Sequence, residues 1–417
     1  MSILIKNVLL NSKQKDLLIK GNLISKIADS INEKADEIII GNGKAVLPSF
    51  INSHTHSAMI LLRGYADDML LMDWLQNRIW PLEAKLTEDD VYWGAKLACL
   101  EMIKSGTTFF NDMYWHFNGT ARATDEMGIR AMISGVFIDG GDFGKAKDQI
   151  NLNEKLFKHS KKISERISFS LGPHAIYTVS EFSLRWIKNF AYENNLMIHI
   201  HLSETEQEVK DCLKLHGKRP VEYLHDIGFL GANLVAAHVI HVNEKELHLL
   251  HEFDVKIAHS PVSNMKICSG ILPMKAMLEK GLTVGLGTDG CSSNNNLDML
   301  EEMKFAALLH KINNFDPQFL PAEKTFEIAT KNGATIFNLN CGEIKEGKLA
   351  DLILVDLNNI NLIPNHNLIS NMVYSAHADC VDTTICDGKI LMQNRQVEGE
   401  EEIKAKAAEV AKKLVHL

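Results

Sequence analysis

The sequence predicts an α/β chain in which a (β/α)8 barrel is joined to a small β-sandwich formed from both chain ends. Three observations lead there. Between residues 47 and 341, eight short β-branched or apolar runs alternate with longer amphipathic segments. The stretches before and after read instead as short strands broken by turn residues. Six of the eight central runs end on a His or an Asp, the residue types that a barrel gathers where its strands end.

In chain order, the first 46 residues place strands at Ile3-Leu4-Ile5, Asp16-Leu17-Leu18-Ile19 and Glu37-Ile38-Ile39-Ile40, separated by Gly21-Asn22 and Gly41-Asn42-Gly43. The eight central runs are Pro48–His54, Thr107–Met113, Arg130–Phe137, Ile167–His174, Met197–His201, Leu234–His238, Val255–His259 and Thr283–Asp289. Amphipathic segments such as Asp90–Lys104, Ser180–Asn194, Glu244–Phe253 and Leu272–Lys280 lie between them and predict helices. Eight such units in about 290 residues make a TIM barrel. A doubly wound sheet has no reason to repeat eight times, and no Gly-rich phosphate loop follows any run. Beyond residue 342 the strand texture returns at Leu349–Val355 and Thr383–Ile390, and residues 401–416 predict a terminal helix. The expected division is 1–46 with 342–417 as the sandwich domain and 47–341 as the barrel.

Composition narrows the function. The chain has 417 residues, a formal net charge of −9, 46% hydrophobic and 23% charged residues. That is an ordinary globular profile. Without a basic run, nucleic acid and anionic membranes are not expected partners. No apolar stretch reaches the roughly 18 residues of a membrane span, and the N-terminus lacks a signal-peptide core, so a cytoplasmic protein is expected. Seven scattered cysteines without C-x-x-C spacing argue against a disulfide framework or a thiolate metal site.

The histidines carry the chemistry. In Asn52-Ser53-His54-Thr55-His56, residues i and i+2 of a strand share a face, so His54 and His56 can reach one ion. His199-Ile200-His201 repeats the pattern, and parity does not choose between its two histidines. Glu204 stands just past that run, where a carboxylate can shuttle protons beside a metal-activated water. His238 ends Leu234-Val235-Ala236-Ala237, and His241 follows by three. Asp289 ends the Gly-rich apolar run Thr283–Thr288, where a carboxylate is costly unless paired or bound to metal. Three imidazoles and a carboxylate suit a divalent metal with an open position, Zn2+ first, with Fe2+ or Mn2+ also compatible.

These motifs resemble a known family. Pro48–His56, His199–Thr205, Ala237–His241, His259–Lys266 and Gly285–Gly290 are similar, in order, to the motifs of the amidohydrolase superfamily, and Glu346–Ile353 resembles the segment that returns its chain to the sandwich. His174 stands where a carboxylated Lys would bridge two metals, which implies the one-metal subgroup. Within it the likeness is to the 5-methylthioadenosine/S-adenosylhomocysteine deaminases. The resemblance implies His54, His56, His201 and Asp289 as metal ligands, Glu204 as proton shuttle and His238 as a catalytic histidine. It also implies that His174 contacts the purine, Glu83 the ribose, and that Trp74 is an aromatic wall. Read without it, Trp74 and Trp80 are helix packing and Glu83 is a solvated helix end.

One feature departs from that family. Its S-adenosylhomocysteine users hold the amino-acid carboxylate with arginines at the end of strand three and in the loop after it. Here no Arg occurs between Arg130 and Arg166, and lysines such as Lys145 and Lys147 cannot supply a bidentate fork. The expected reaction is hydrolytic deamination of an adenosine-type nucleoside, with neutral 5′-substituents favoured over S-adenosylhomocysteine. The alternatives are a free base, pterin or triazine as substrate of the same one-metal chemistry, or a silent barrel kept as a binding protein. The Leu- and Met-rich segment Met59–Trp80 is expected either to join copies in a homo-oligomer or to form a lid.

Overall fold

The computed structural model describes residues 1–416. Five strands open the chain: β1 (Ser2–Leu10), β2 (Lys13–Lys20), β3 (Leu23–Ala28), β4 (Glu37–Ile40) and β5 (Lys44–Pro48). The barrel strands follow as β6 (Phe50–His56), β7 (Thr107–Met113), β8 (Arg130–Phe137), β9 (Ile167–Pro173), β10 (Ile198–Leu202), β11 (Leu234–His238), β12 (Lys256–His259), β13 (Val284–Leu286) and β14 (Asp289–Gly290). Three more, β15 (Leu352–Asp356), β16 (Val381–Cys386) and β17 (Lys389–Met392), return to the first sheet. That sheet runs β17-β16-β15-β5-β1-β2-β3, with β4 pairing β1, so residues from both ends share it.

The barrel strands neighbour one another in sequence order and pair in parallel. The expected eighth run is divided: β13 pairs with β12, and after Gly287-Thr288, β14 pairs with β6. One run therefore links the last strand to the first. Gly287 is required at that seam, because a Cβ there would lie 2.7 Å from the His54 backbone nitrogen. Asn52 closes the same seam by accepting from the Thr288 amide at 3.0 Å and donating to its hydroxyl at 2.7 Å.

Side-chain alternation sorts the barrel into two layers. Ile51, Phe109, Met132, Val235 and Ala258 pack together with Ala334, Ile336 and Phe337 in one cluster. Ile198, Ile200, Leu202 and Ile257 instead join the larger core that the helices supply, through residues such as Leu184, Ile187 and Met303. The predicted helices are present at Glu88–Ser105, Glu181–Asn194, Glu244–Glu252, Met274–Glu279 and Glu400–His416. Thr87, Ser180 and Asn243 cap the first three with side-chain acceptors. No helix among the described residues is long and apolar enough to cross a membrane.

An ion pair ties the two sheets together. Arg130, the first residue of β8, donates from Nε to Asp351 at 2.7 Å and also binds Asp387. Asp351 is fully buried and accepts the Asp387 amide on its other oxygen. Removing the cation from a buried carboxylate costs about 3–5 kcal/mol. Arg130→Met is expected to lower unfolding free energy by about that amount in a denaturant titration, and the Arg130→Met/Asp351→Asn double variant by less than the sum of the two singles.

Candidate functional site

The strand ends deliver their side chains to one cavity. His56, His174, His201, Glu204, His238 and Asp289 all line it, as do Trp74 and Glu83 from the connection after β6. His54 lies fully buried directly behind them. The nine residues singled out from the sequence are thus brought together.

Three of the imidazoles are oriented by partners on their far side. His56 donates from Nδ1 to the Met113 carbonyl at 2.6 Å, and His201 from Nδ1 to the His174 carbonyl at 2.7 Å. His238 places its Nδ1 2.8 Å from Asn264 Oδ1. A carbonyl acceptor fixes a proton on Nδ1 and turns Nε2 toward the cavity, where it can bind a metal once it carries no proton. His54 is held by His199, with Nδ1 2.8 Å from His199 Nε2, and assigning the proton to His54 Nδ1 frees its Nε2 too. That Nε2 has no hydrogen-bond partner although it is buried. Asp289 Oδ1 lies 3.4 Å from His54 Nε2 and 3.3 Å from His56 Nε2. The His56 and His201 Nε2 atoms are 3.2 Å apart. Imidazole nitrogens and a carboxylate gathered this closely need a positive charge among them, which a proton on His56 or a metal cation can supply. His54, His201 and His238, and likewise His54, His56 and Asp289, offer donor atoms within 4.8 Å of one another. The residues present therefore fit a divalent metal.

Electrostatics agrees. Burial pushes His54 down to about 4 and His174 down to about 3, so both are neutral imidazoles. Burial opposes charge on His56 as well, but the adjacent Asp289 carboxylate outweighs it and raises the group to about 9. Asp289 is buried, yet His54 and His56 beside it hold its carboxyl well below the ordinary range. Its second oxygen accepts from Ser263 at 2.6 Å and Ser293 at 3.1 Å.

The backbone is bent to aim these groups. His238, Val239, Ser203 and Asp289 have φ of 70°, 49°, 51° and 60°. Non-glycine residues pay about 1–3 kcal/mol each for such conformations, and Val, being β-branched, is the most strained. Cross-links between strand ends hold them: the Val239 amide donates to the Leu202 carbonyl at 2.9 Å, and the Ile240 and His241 amides both donate to the Ser203 carbonyl. Glu208 then accepts the Ser203 and Glu204 amides at 2.9 and 2.8 Å, fixing the turn that carries Glu204. Glu204 itself takes a hydrogen bond from Ser269 at 3.3 Å and stands 4.0 Å from His238 Nε2.

On the other side of the cavity, burial raises the Glu83 carboxyl above its usual range, against the pull of Tyr114 and Trp115. The Trp115 indole donates to it at 3.3 Å. Sequence reasoning missed Tyr114, Trp115 and Tyr177, which line the cavity. The first two immediately follow β7, so the strand-end rule could have found them. Two histidines fall elsewhere. His199 supports His54 from behind, and His259 faces His310, 3.0 Å away between Nε2 atoms, outside the cavity. The segment Met59–Trp80 folds over the site: Met59, Trp74, Leu75 and Trp80 line the cavity, and Leu62 and Ile79 belong to the same cluster as Ala407 and Leu414 of the terminal helix.

A closed parallel barrel whose strand ends gather imidazoles, a carboxylate and flanking acids is the architecture of a hydrolytic enzyme. The chain belongs to the amidohydrolase family, which it matches over residues 45–391. A 5-methylthioadenosine/S-adenosylhomocysteine deaminase of Thermococcus sibiricus is 49% identical over 94% of each chain. A 5′-deoxyadenosine deaminase of Methanoregula boonei is 47% identical, covering 99% of this chain and 95% of its own. Among solved structures, an adenosine deaminase of Xanthomonas campestris with bound zinc superposes with a TM-score of 0.93 at 30% identity, covering 100% of this chain and 98% of its own.

Metal binding gives a readout that needs no substrate. Chelator-treated protein titrated with Zn2+ is expected to gain unfolding free energy, about 2.7 kcal/mol at a free concentration one hundred times Kd. His201→Ala is expected to abolish that gain; an undiminished gain in the variant would remove His201 from the ligand set.

Proposed function

We propose that the protein hydrolyses the 6-amino group of adenosine-type nucleosides, releasing ammonia and leaving the inosine analogue. The observation that carries this reading is that one cavity holds the metal-type cluster, Glu204 beside His238, and a second, half-buried carboxylate, Glu83. The named relatives support it, since each is a deaminase of an adenine nucleoside.

Zn2+ is the cation we assign to His54, His56, His201 and Asp289, because three nitrogens and one oxygen suit it; Fe2+ or Mn2+ fit the same donors. A metal held by these residues would supply an acidified water, with a pKa of about 7. The chain's own residues do the rest. Glu204 takes one proton of the attacking water and delivers it to purine N1, which makes C6 electrophilic. His238, kept with its proton on Nδ1 by Asn264, turns Nε2 toward the attacking water and steadies the tetrahedral carbon. Asp289 takes the water's other proton and passes it to the departing amine; its second oxygen stays anchored by Ser263 and Ser293. The C–O bond forms first, giving the tetrahedral carbon; the C–N bond then breaks, ammonia leaves with the proton Asp289 supplied, and the 6-oxo product keeps the proton on N1. His174, fixed through Nδ1 to Thr178 Oγ1 at 2.9 Å, holds the purine edge. Glu83 accepts from the ribose hydroxyls, and Trp74 closes one wall.

Ammonia release from metal-loaded enzyme with methylthioadenosine, adenosine and 5′-deoxyadenosine tests the reading, and silence on all three overturns it. Glu204→Gln is expected to keep its metal and lose about 10²- to 10⁴-fold in kcat. Glu83→Ala is expected to lose about 10- to 100-fold in kcat/KM on nucleosides, the worth of a hydrogen bond to a charged acceptor.

A further inference from the structure

A second chamber adjoins the catalytic cavity. Trp80, Glu83, Trp115 and Ile138 line both, so the two spaces meet at the carboxylate that would hold the ribose. The chamber measures about 660 Å3, within the range of small-molecule sites. Beyond the shared residues its wall is largely apolar, formed by Leu86, Phe117, Leu152 and Leu156. Leu152 is 51% exposed on the helix Phe143–Ser160, a large apolar group left uncovered at the chamber.

The charge in this chamber has one sign. Among the described residues its lining contains no Lys or Arg, and its carboxylates are Glu83 and Glu88. His116 spends its Nε2–H on the Leu86 carbonyl at 2.9 Å. Gln149, which follows β8 on the same helix as Leu152, is fully used by the Ile138 backbone, accepting its amide at 2.8 Å and donating to its carbonyl at 2.9 Å. Lys147 lies over the Phe143 ring rather than in the wall. Asn118 and Thr178 complete the polar part of the wall, the Asn118 amide donating to Glu88 at 3.4 Å and the Thr178 hydroxyl to the Ala175 carbonyl at 3.2 Å, so a ligand carboxylate entering here meets mostly apolar carbon and like charge, with no cationic fork to receive it.

We propose that this chamber receives the 5′-substituent of the nucleoside and selects apolar alkylthio groups, longer than methyl included, against the amino-acid tail of S-adenosylhomocysteine. The proposal rests on the nucleoside-deaminase reading and names the substrate class of that site. The recognising chemistry is burial of methylenes, each worth about a threefold to fourfold gain.

The test compares kcat/KM for 5′-butylthioadenosine, methylthioadenosine, 5′-deoxyadenosine and S-adenosylhomocysteine. The butylthio compound is expected to exceed methylthioadenosine by tenfold or more, and S-adenosylhomocysteine to fall at least a hundredfold below it. Leu152→Arg is expected to raise the ratio of S-adenosylhomocysteine to butylthio activity by tenfold or more. S-adenosylhomocysteine within threefold of the butylthio compound, or a butylthio compound poorer than methylthioadenosine, overturns the proposal while leaving deamination intact. If no nucleoside is deaminated, the deaminase reading fails, and calorimetric binding decides the chamber by itself. At least tenfold tighter binding of 5′-butylthioadenosine than of S-adenosylhomocysteine upholds it, and equal binding overturns it.

Discussion

Imidazole nitrogens that face one another beside a buried carboxylate, and so need a positive charge among them, are the constraint on which the rest of this structure depends. His56 and His201 meet Nε2 to Nε2 at 3.2 Å, and Asp289 sits within 3.4 Å of two of the rings. Such a cluster is unfavourable in an apolar barrel unless a cation completes it. Its surroundings serve to keep it in that form. The Met113 and His174 carbonyls fix which nitrogen of His56 and of His201 carries the proton, and Ser263 and Ser293 occupy the far oxygen of Asp289. The seam between the eighth run and β6 exists in its tight form so that Asp289 can stand against His54.

The positive-φ residues follow from the same constraint. Alternation along β11 sends Leu234 and Ala236 toward the helices and Val235 toward the barrel interior. Continued, it would send His238 outward. A φ of 70° turns the side chain back to the cavity, and Val239 and Ser203 share the distortion. Strain is thus concentrated where proton chemistry is proposed, and the cross-strand hydrogen bonds to Leu202 and Ser203 hold it there.

This explains how much was legible in the sequence. The barrel was, because eight apolar runs at regular spacing admit few other closures, and the end-built sheet was, because both ends share one strand texture. β3 was missed, since Leu23–Ala28 mixes Ser and Lys into a half-exposed edge. Within the site, parity correctly turns His199 and His201 inward, opposite Ile198, Ile200 and Leu202. It does not choose between them, because they differ in depth and not in face: His201 reaches the cavity while His199 lies behind His54. Parity also sends His259 outward with Ile257, to His310 on the helix Met299–Asn314. The inward turn of His238 depends on a backbone conformation that its residue type does not announce. Tyr114 and Trp115 were passed over because aromatic residues after a strand usually signify packing.

The seam between β6 and β14 has a consequence for biosynthesis. Thr55 and Asp289 hydrogen-bond across it but stand 234 positions apart in the chain. A polypeptide emerging from the ribosome presents His54 and His56 early, His201 and His238 much later, and Asp289 last. Until then its paired histidines are loose ligands on a nascent strand, able to hold an ion only weakly. The full donor set exists only once the barrel is closed, so any metal held by all four residues would have to wait for the ring to close.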